Sequence, residues 1–224
     1  MAVSYAHEQI VTNGLVLALD AGNHRSYPGS GTTWYDLIVS DSGTLTNGPT
    51  FDSGNFGSIV FDGVDDYVNY GGNITTSEAT FITWIKRNGT QTLYTGLIFN
   101  RGANVTGLNF YSTTHNVGYH WNAAANTWQW NSGLTVPDLQ WCMVAISISS
   151  SSAIAYLCQS SGITSATNSV SHSSTTLNVI NIGADTGVSR YFDGNLAIAQ
   201  IYNRALSLAE ITQNFEVIKS RFGL

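Results

Sequence analysis

The sequence contains few charged residues. Asp, Glu, Lys and Arg together make up 10% of its 224 residues, well below the ~25% of an average soluble domain. Eight Lys and Arg stand against 14 Asp and Glu, which gives a net charge of −6. Nucleic-acid binding depends on a basic surface that displaces counterions from phosphate, and attachment to a membrane surface depends on clusters of Lys and Arg. The composition therefore predicts neither nucleic acid nor membrane as a partner.

Cysteine is also scarce, since Cys142 and Cys158 are the only two and two thiols are too few for a disulfide framework. They lie on two strand-like runs, residues 141–149 and 153–159, that should form a hairpin. If the turn centres near Ser150, the cysteines oppose each other on one face, with Cβ atoms ~4.5–5.5 Å apart. A disulfide needs ~3.5–4.5 Å, so we expect neighbouring free thiols. A one-residue shift of the turn would put them on opposite faces.

The N-terminal region lacks the features of an export signal. It has no basic segment, and the apolar stretch at residues 14–19 is too short for a signal-peptide core or a bilayer span. We therefore expect the protein to be made in a cytoplasm without a signal peptide. It would reach the exterior by another route, such as lysis that releases an assembled virus.

Proline is rare and glycine is common, with 3 and 22 residues, and glycine permits the tight turns that connect strands. Between these turns, apolar or alternating runs recur about every ten residues, the pattern of an all-β sandwich or barrel. The predicted strands cover residues 15–20, 58–62, 67–70, 81–86, 92–100, 108–112, 117–122, 128–131, 141–149, 153–159, 165–170, 177–183 and 196–202.

One helix is predicted, at the C-terminus. Ser207 and Glu210 have the spacing of a capping box, in which each side chain accepts a hydrogen bond from the other residue's backbone amide. The apolar residues that follow recur at steps of three and four and form one stripe: Leu208, Ile211, Phe215, Ile218 and Phe222. The stripe suits a helix lying across the sandwich, and its spacing also fits a short seam between subunits. The chain thus divides into an N-terminal arm (1–13), a sandwich domain (14–206) and an amphipathic helix (207–224).

Three blocks of sequence carry a family resemblance: GLVLALDAGNHRSYPGSGTTWYDL, GSIVFDGVDDYVNYG and YFDGNLAIAQIYNRALSLAEITQNF. They resemble concanavalin A-like (laminin G-like) jelly-roll domains of the type found in virion structural proteins of tailed bacteriophages. The resemblance implies an all-β fold, a two-sheet antiparallel jelly-roll sandwich with one C-terminal α-helix. Residues 87–190 carry no such signature.

The same resemblance implies a non-enzymatic structural protein of a phage particle, as a capsid decoration or a tail fibre-associated module. Its partners would be other virion proteins and further copies of itself in a homo-oligomer, and its location the virion. The fold also hosts lectins and glycoside hydrolases, so it does not determine the function by itself. The alternative is a carbohydrate-binding (lectin) adhesion module that recognises a host surface glycan.

The residues needed for glycoside hydrolysis are missing from the sequence. Hydrolases of this fold use two nearby carboxylates, which on one strand must be two or four residues apart to share a face. The four glutamates, Glu8, Glu78, Glu210 and Glu216, form no Glu-x-Asp-x-x-Glu strand. The histidines lack metal-ligand spacing, and no Gly-x-Ser-x-Gly motif is present. We therefore predict no catalytic residues and no enzymatic activity.

Four aromatic residues are candidates for stacking on a sugar. Tyr119 and Trp121 share one face of a predicted strand at a spacing of two, and so do Trp128 and Trp130. Neighbouring amide side chains suit the hydroxyl groups of a saccharide. The same rings also suit the core or a contact between subunits. Tryptophans that adjoin apolar strands or signature turns are predicted to be buried: Trp34, Trp84 and Trp141.

Acidic residues provide a candidate calcium site. Asp62, Asp65 and Asp66 crowd one turn, and calcium prefers several oxygen ligands. Related domains often hold a structural calcium with an acidic residue near each end of the domain, which points to Asp20 and Asp193 by position. The expected ligands of a structural Ca²⁺ are therefore Asp20, Asp62 and Asp193. The alternative is that these carboxylates only accept hydrogen bonds in turns.

Overall fold

The computed structural model describes residues 9–224, so most of the expected N-terminal arm (residues 1–13) and Glu8 lie outside it. In chain order the strands are β1 Leu15–Asp20, β2 Thr33–Tyr35, β3 Ser42–Thr46, β4 Thr50–Asp52, β5 Ser58–Asp62, β6 Tyr67–Gly71, β7 Ile74–Thr76, β8 Ala79–Arg87, β9 Gly96–Arg101 and β10 Val105–Tyr111. They continue with β11 Asn116–His120, β12 Trp141–Ile148, β13 Ala153–Gln159, β14 Gly162–Asn168, β15 Thr175–Leu177, β16 Ile180–Ile182, β17 Ala184–Asp185, β18 Arg190–Tyr191 and β19 Asp193–Tyr202. The α-helices are α1 Ala125–Trp128 and α2 Leu208–Ile218, and 3-10 turns cover Gly54–Phe56, Ser112–Thr114, Thr186–Val188 and Lys219–Phe222.

Two large sheets form the sandwich. One has eight strands in the order β14-β13-β12-β8-β19-β5-β4, with β1 also pairing with β19, and the other has seven in the order β11-β10-β9-β16-β6-β3-β2. Two further ladders pair β15 with β7 and β17 with β18. Pairing within the named strands is antiparallel, and central neighbours such as β8 and β19 are far apart in sequence. The predicted all-β jelly-roll sandwich with a C-terminal helix is confirmed.

Strand β12 shows how the sequence pattern produces two cores. Its alternate residues Cys142, Val144 and Ile146 pack into the core between the sheets. Met143 and Ala145 point to the opposite face, where they join a second apolar cluster under the C-terminal helix. A strand that is buried on both faces needs a continuous apolar run in place of an alternating one, which explains the unbroken apolar run at residues 141–146.

The C-terminal helix α2 covers the outer face of the eight-stranded sheet. Ile211 and Phe215 are buried there, and Phe222 follows in the 3-10 turn that extends the helix. The capping box is present, because Ser207 accepts a hydrogen bond from the backbone of Glu210 and the Glu210 carboxylate accepts one from the backbone of Ser207. Leu208 departs from the expected stripe, since 56% of it is exposed. Among residues 9–224, no helix is long and apolar enough to cross a bilayer.

The three tryptophans predicted to be buried are buried. Trp34 and Trp84 are 0% exposed, and Trp141 is 8% exposed. Trp34 lies in the core between the sheets, whereas Trp84 and Trp141 lie in the cluster under the helix.

The predicted opposition of Cys142 and Cys158 is wrong by one residue. The β12–β13 hairpin pairs Met143 with Cys158 and Ile148 with Ala153, so the turn is centred between two residues and not on one. Cys142 therefore faces the core between the sheets, and Cys158 faces the helix. Both thiols are free and buried, as expected.

Candidate functional site

Tyr119 and Trp121 lie in the core between the sheets. Each is 1% exposed. The Tyr119 hydroxyl lies 2.9 Å from Nε2 of His172, and Nε1 of Trp121 donates a hydrogen bond to the carbonyl of Ser173 at 2.7 Å. A sugar stacks on a solvent-accessible ring face, and neither of these rings offers one.

The strand predicted at residues 128–131 is wrong, because the chain instead forms the short helix α1 at Ala125–Trp128. Thr127 holds this helix in place, since its hydroxyl accepts a hydrogen bond from the backbone of Trp121 and donates one to the carbonyl of Ala124. Because the helix ends at Trp128 and Trp130 lies beyond it, the two tryptophans do not share one face as they would in a strand. Trp130 packs against the core with its ring edge-on to Tyr119, whereas Trp128 lines a surface pocket.

This pocket has a volume of about 270 Å³ and is called the arginine pocket below. Alternation along β11 creates it on the outer face of the seven-stranded sheet, because Val117 and Tyr119 point into the core and His120 points outward. The residues that line it come from five separate parts of the chain: Tyr94, Arg101, Val105, His120, Ala123, Trp128 and Arg190.

Three aromatic rings form one side of the arginine pocket. The rings of Tyr94 and Trp128 meet edge-on with centroids 6.1 Å apart, and the His120 ring lies roughly parallel to Trp128 at 6.5 Å. Tyr94 has a φ of 58°, a left-handed conformation that is uncommon outside glycine and that clusters at binding sites. Tyr94 and Trp128 are both partly exposed, so their rings are accessible to a ligand.

Two arginines form the other side, and both contact the buried carboxylate of Asp185 behind them. The hairpin of β17 and β18 pairs Asp185 with Arg190, and the Arg190 guanidinium lies 3.5 Å from the carboxylate. Arg101 binds the same carboxylate more closely, with contacts of 2.6 Å and 3.0 Å. Gly187 makes room for this pair, because a Cβ at that position would lie 2.7 Å from the Arg101 side chain. Asp185 is completely buried, and the two arginine side chains are each 24% exposed.

His120 is held neutral beside these charges. Burial, together with the positive charges of Arg101 and Arg190, lowers the pKa of His120 to about 3. Its Nδ1 lies 3.1 Å from Oδ1 of Asn109. An amide oxygen only accepts hydrogen bonds, so Nδ1 carries the proton and Nε2 is the unprotonated nitrogen. The ring adds a polar, uncharged wall to the pocket.

Most of the arginine pocket was not predicted from the sequence. Of the four proposed aromatic residues only Trp128 lines it, and Tyr94, Arg101, His120 and Arg190 were missed. These positions are far apart in sequence and meet only through strand pairing. The sequence offers one indication of the pocket, the scarcity of basic residues. Arg101 and Arg190 are two of only eight Lys and Arg residues in the chain.

The three predicted calcium ligands do not form one site. Asp20 is bound by Arg221 at 2.7 Å, at a different place in the fold. Asp193 lies opposite Asp62 in the β19–β5 ladder, where its carboxylate accepts a hydrogen bond from Asn88. Asp62 instead groups with its sequence neighbours: Asp62, Asp65 and Asp66 have carboxylate oxygens within 4.8 Å of one another.

This acidic turn offers oxygen ligands of the kind that calcium binds. Asp62 and Asp65 are exposed, Asp66 is 4% exposed, and all three offer carboxylate oxygens, the ligands that calcium prefers. Burial and the neighbouring Asp62 raise the pKa of Asp66, as expected for negative charges brought together without a counterion. Some of this capacity is used, because Asp62 accepts a hydrogen bond from the backbone of Val64 at 2.8 Å. The three carboxylates would hold the ion, and its two positive charges would offset most of their negative charge.

Comparison with known families identifies a superfamily. A family model described as "Concanavalin A-like lectin/glucanases superfamily" matches residues 62–212. These residues include the acidic turn and every residue of the arginine pocket. No curated protein matches the sequence.

Solved structures of similar fold come from carbohydrate-active and toxin proteins. Domain 4 of AbnA, an arabinanase from Geobacillus stearothermophilus solved in complex with arabinotriose, has a TM-score of 0.67 at 16% identity over 89% of this chain and 97% of that one. A Trypanosoma rangeli sialidase has a TM-score of 0.64 at 16% identity, and the match covers 92% of this chain but only 33% of the sialidase. The botulinum neurotoxin serotype D binding domain has a TM-score of 0.58 at 12% identity, over 91% of this chain and 51% of that one. At these identities the comparisons establish a shared fold.

Proposed function

Because the chain belongs to the concanavalin A-like lectin/glucanase superfamily, we propose that it is a carbohydrate-binding module whose glycan binds in the arginine pocket. The observation that carries this proposal is the placement of Tyr94 and Trp128, two accessible rings that meet beside hydrogen-bonding groups. Binding sites for small molecules combine apolar and aromatic walls with a few polar groups in this way. The arabinotriose complex of the arabinanase domain gives a precedent for saccharide binding within the same fold.

The size of the pocket suits one sugar residue. Its volume of about 270 Å³ is just below the range of ~300–1,000 Å³ that is usual for small-molecule sites. A terminal or side-chain sugar of a surface glycan would enter it, while the rest of the chain remains in solvent. We assign this glycan to the surface of a host cell, in keeping with the resemblance to proteins of phage particles.

The proposed role is non-enzymatic. The carboxylate beside the arginine pocket, Asp185, is completely buried and already bound by Arg101 and Arg190, which makes it a poor proton donor or nucleophile. Two of the glutamates also form ion pairs, Glu210 with Arg204 and Glu216 with Lys219. A glycosidase instead needs two carboxyl groups on either side of the scissile bond.

The test is a glycan array probed with the whole chain and with Trp128→Ala. We expect the array to identify at least one bound glycan, and Trp128→Ala to abolish that binding without changing the melting temperature by more than a few degrees. Phe56→Ala is the matched control, because Phe56 is an aromatic residue that is 78% exposed and lies outside the pocket. A reducing-sugar assay on the bound glycans should detect no cleavage. Absence of binding to any glycan would refute the proposal.

A second candidate function is a contact module in a virion, in which the protein binds other virion proteins or copies of itself. The end of β2 and the turn after it favour this function, because Tyr35, Ile38 and Val39 are 49%, 45% and 44% exposed. Asp36 anchors this turn by accepting a hydrogen bond from the backbone of Ile38 at 2.8 Å and one from the hydroxyl of Tyr70. Apolar side chains held outward on an anchored turn are suited to protein contacts.

Sedimentation equilibrium tests the self-association part of this candidate. We expect a homo-oligomer in the unmodified chain and a shift towards monomer in the double variant Ile38→Ser, Val39→Ser. Val64→Ser is the control, because Val64 is 70% exposed but lies at the acidic turn, away from β2. A monomer at every concentration, or equal dissociation in the control, would count against the contact role and leave glycan binding unaffected.

A further inference from the structure

We propose that the arginine pocket selects a sugar that carries a carboxylate group, and that Arg190 binds this carboxylate. The inference rests on the glycan-binding function proposed above and adds the chemical class of the ligand. It concerns a uronic acid or a sialic acid-type sugar, which share the carboxylate next to a sugar ring.

The first reason is local charge. The chain as a whole carries a net charge of −6, yet the pocket brings together Arg101 and Arg190 against the single carboxylate of Asp185. One positive charge therefore remains in the pocket. His120 does not change this balance because it is neutral at physiological pH. A basic pocket on an acidic protein favours an anionic ligand over a neutral one.

The second reason is that Arg190 is not needed to neutralise Asp185. Arg101 already forms a two-point contact with that carboxylate, at 2.6 Å and 3.0 Å. Arg190 adds one longer contact of 3.5 Å, from Nη1. Two guanidinium groups on the same carboxylate repel each other, so a fold that needed only to satisfy Asp185 would gain little from the second one.

The third reason is the set of donors that Arg190 leaves free. Within residues 9–224, its Nε and Nη2 groups make no hydrogen bond. Its guanidinium lies over the Tyr94 ring, 5.1 Å from the centroid, a contact that stabilises the position of the planar group. The fork of N–H groups on arginine matches the two oxygens of a carboxylate. Arg190 is therefore positioned to bind an acid group while Trp128 contacts the sugar ring.

The experiment uses one array that carries uronic acid, sialylated, sulfated and neutral oligosaccharides. We expect the chain to bind carboxylated glycans and to bind their neutral counterparts at least about tenfold more weakly, the difference that a charge-assisted hydrogen bond produces. Comparing the uronic acid glycans with the sialylated glycans on the array distinguishes the two kinds of carboxylated sugar. Raising the salt concentration should weaken the binding.

Variants at Arg190 separate this inference from the glycan-binding proposal. Arg190→Gln should fold normally, because Arg101 still pairs with Asp185, and should remove the preference for carboxylated over neutral glycans. Arg25→Gln is the control, since Arg25 is exposed and does not line the pocket. Binding of neutral or sulfated glycans alone, or an unchanged preference in Arg190→Gln, would overturn the inference and leave the glycan-binding function standing. Binding of no glycan would refute both.

Discussion

The indole ring of Trp84 is stacked on the ring of Phe222, with centroids 4.6 Å apart and planes 17° from parallel. Trp84 belongs to β8, near the middle of the eight-stranded sheet, and Phe222 is two residues from the C-terminal Leu224. Phe215 stacks on the same indole ring at 5.6 Å. The last segment of the chain is thus packed on the outer face of the eight-stranded sheet, against Trp84 and against Trp141, whose ring centroid lies 4.5 Å from that of Phe222.

Phe222→Ala should therefore destabilise the whole domain. Phe222 is 6% exposed, and replacing a buried Phe by Ala typically costs ~3–5 kcal/mol. We expect a loss of about 3 kcal/mol in the free energy of unfolding, the lower end of that range, as measured by urea denaturation. Leu208→Ala is the control within the same helix, because Leu208 is 56% exposed and exposed substitutions usually change stability by less than ~0.5 kcal/mol. Equal losses in the two variants would contradict this account of the packing.

The two thiols should be unreactive in the folded protein. Cys142 and Cys158 are each 0% exposed, and burial raises the pKa of Cys142 and raises that of Cys158 to about 12. A thiol reagent attacks through the thiolate, so Ellman's reagent should label neither cysteine under native conditions and both in strong denaturant. Cys158→Ala should reduce the labelling in denaturant to one thiol. Rapid labelling of the native chain would contradict the burial of either side chain.

The cysteines also show where sequence reasoning reached its limit. The apolar runs that define β12 and β13 are local, so the sequence predicts both strands. Which residues face each other depends on the number of residues in the turn between them, and a change of one reverses the face of every side chain. The serine-rich turn after β12 gives no signal for that number, and the relation between Cys142 and Cys158 was accordingly wrong.

The arginine pocket was harder to predict for a related reason. Strand periodicity shows that a side chain points outward, but not which other outward side chains lie beside it. Tyr94, Arg101 and Arg190 become neighbours only through the sheet order and the β17–β18 hairpin. The prediction at Trp128 was wrong even locally. The spacing of two between Trp128 and Trp130 is typical of a strand, but Trp128 ends the short helix α1.

The acidic turn gives two predictions about the melting temperature, one in the absence of calcium and one in its presence. The pKa of Asp66 is raised above its ordinary value of 3.8 in the folded state, so the folded protein binds this proton more tightly than the unfolded chain. The stability that this provides is complete below pH 3.8 and is lost as the pH rises through the folded value. At pH 7 with a chelator present, Asp66→Asn should therefore raise the melting temperature, and the gain should disappear near pH 3.

Added calcium should raise the melting temperature of the unmodified chain, because an ion that binds only the folded state stabilises it. Asp66→Asn should respond less, since it has lost one carboxylate ligand. Asp41→Asn, a change at an exposed position outside the turn, controls for the loss of a negative charge. If calcium has the same effect on all three proteins, the acidic turn does not hold the ion.

The ion pair at the start of α2 predicts a contribution to stability that increases with pH, whereas the contribution of Asp66 decreases with pH. The Arg204 guanidinium, at 2.6 Å from the Glu210 carboxylate, and the hydrogen bonds from Ser207 together lower the pKa of Glu210 from 4.5 to about 2. A depressed pKa contributes stability above pH 4.5 that is lost as the pH falls towards 2. Glu210→Gln should keep the capping box but remove this contribution, which for a partly exposed pair is at most about 1 kcal/mol. In urea denaturation, the variant should therefore be less stable than the unmodified chain at pH 7 and equal to it near pH 2.

Glu216→Gln is the control, because it removes a more exposed ion pair with Lys219, and it should cause a smaller loss of stability at pH 7. An equal or larger loss in Glu216→Gln would mean that Glu210 has no special role.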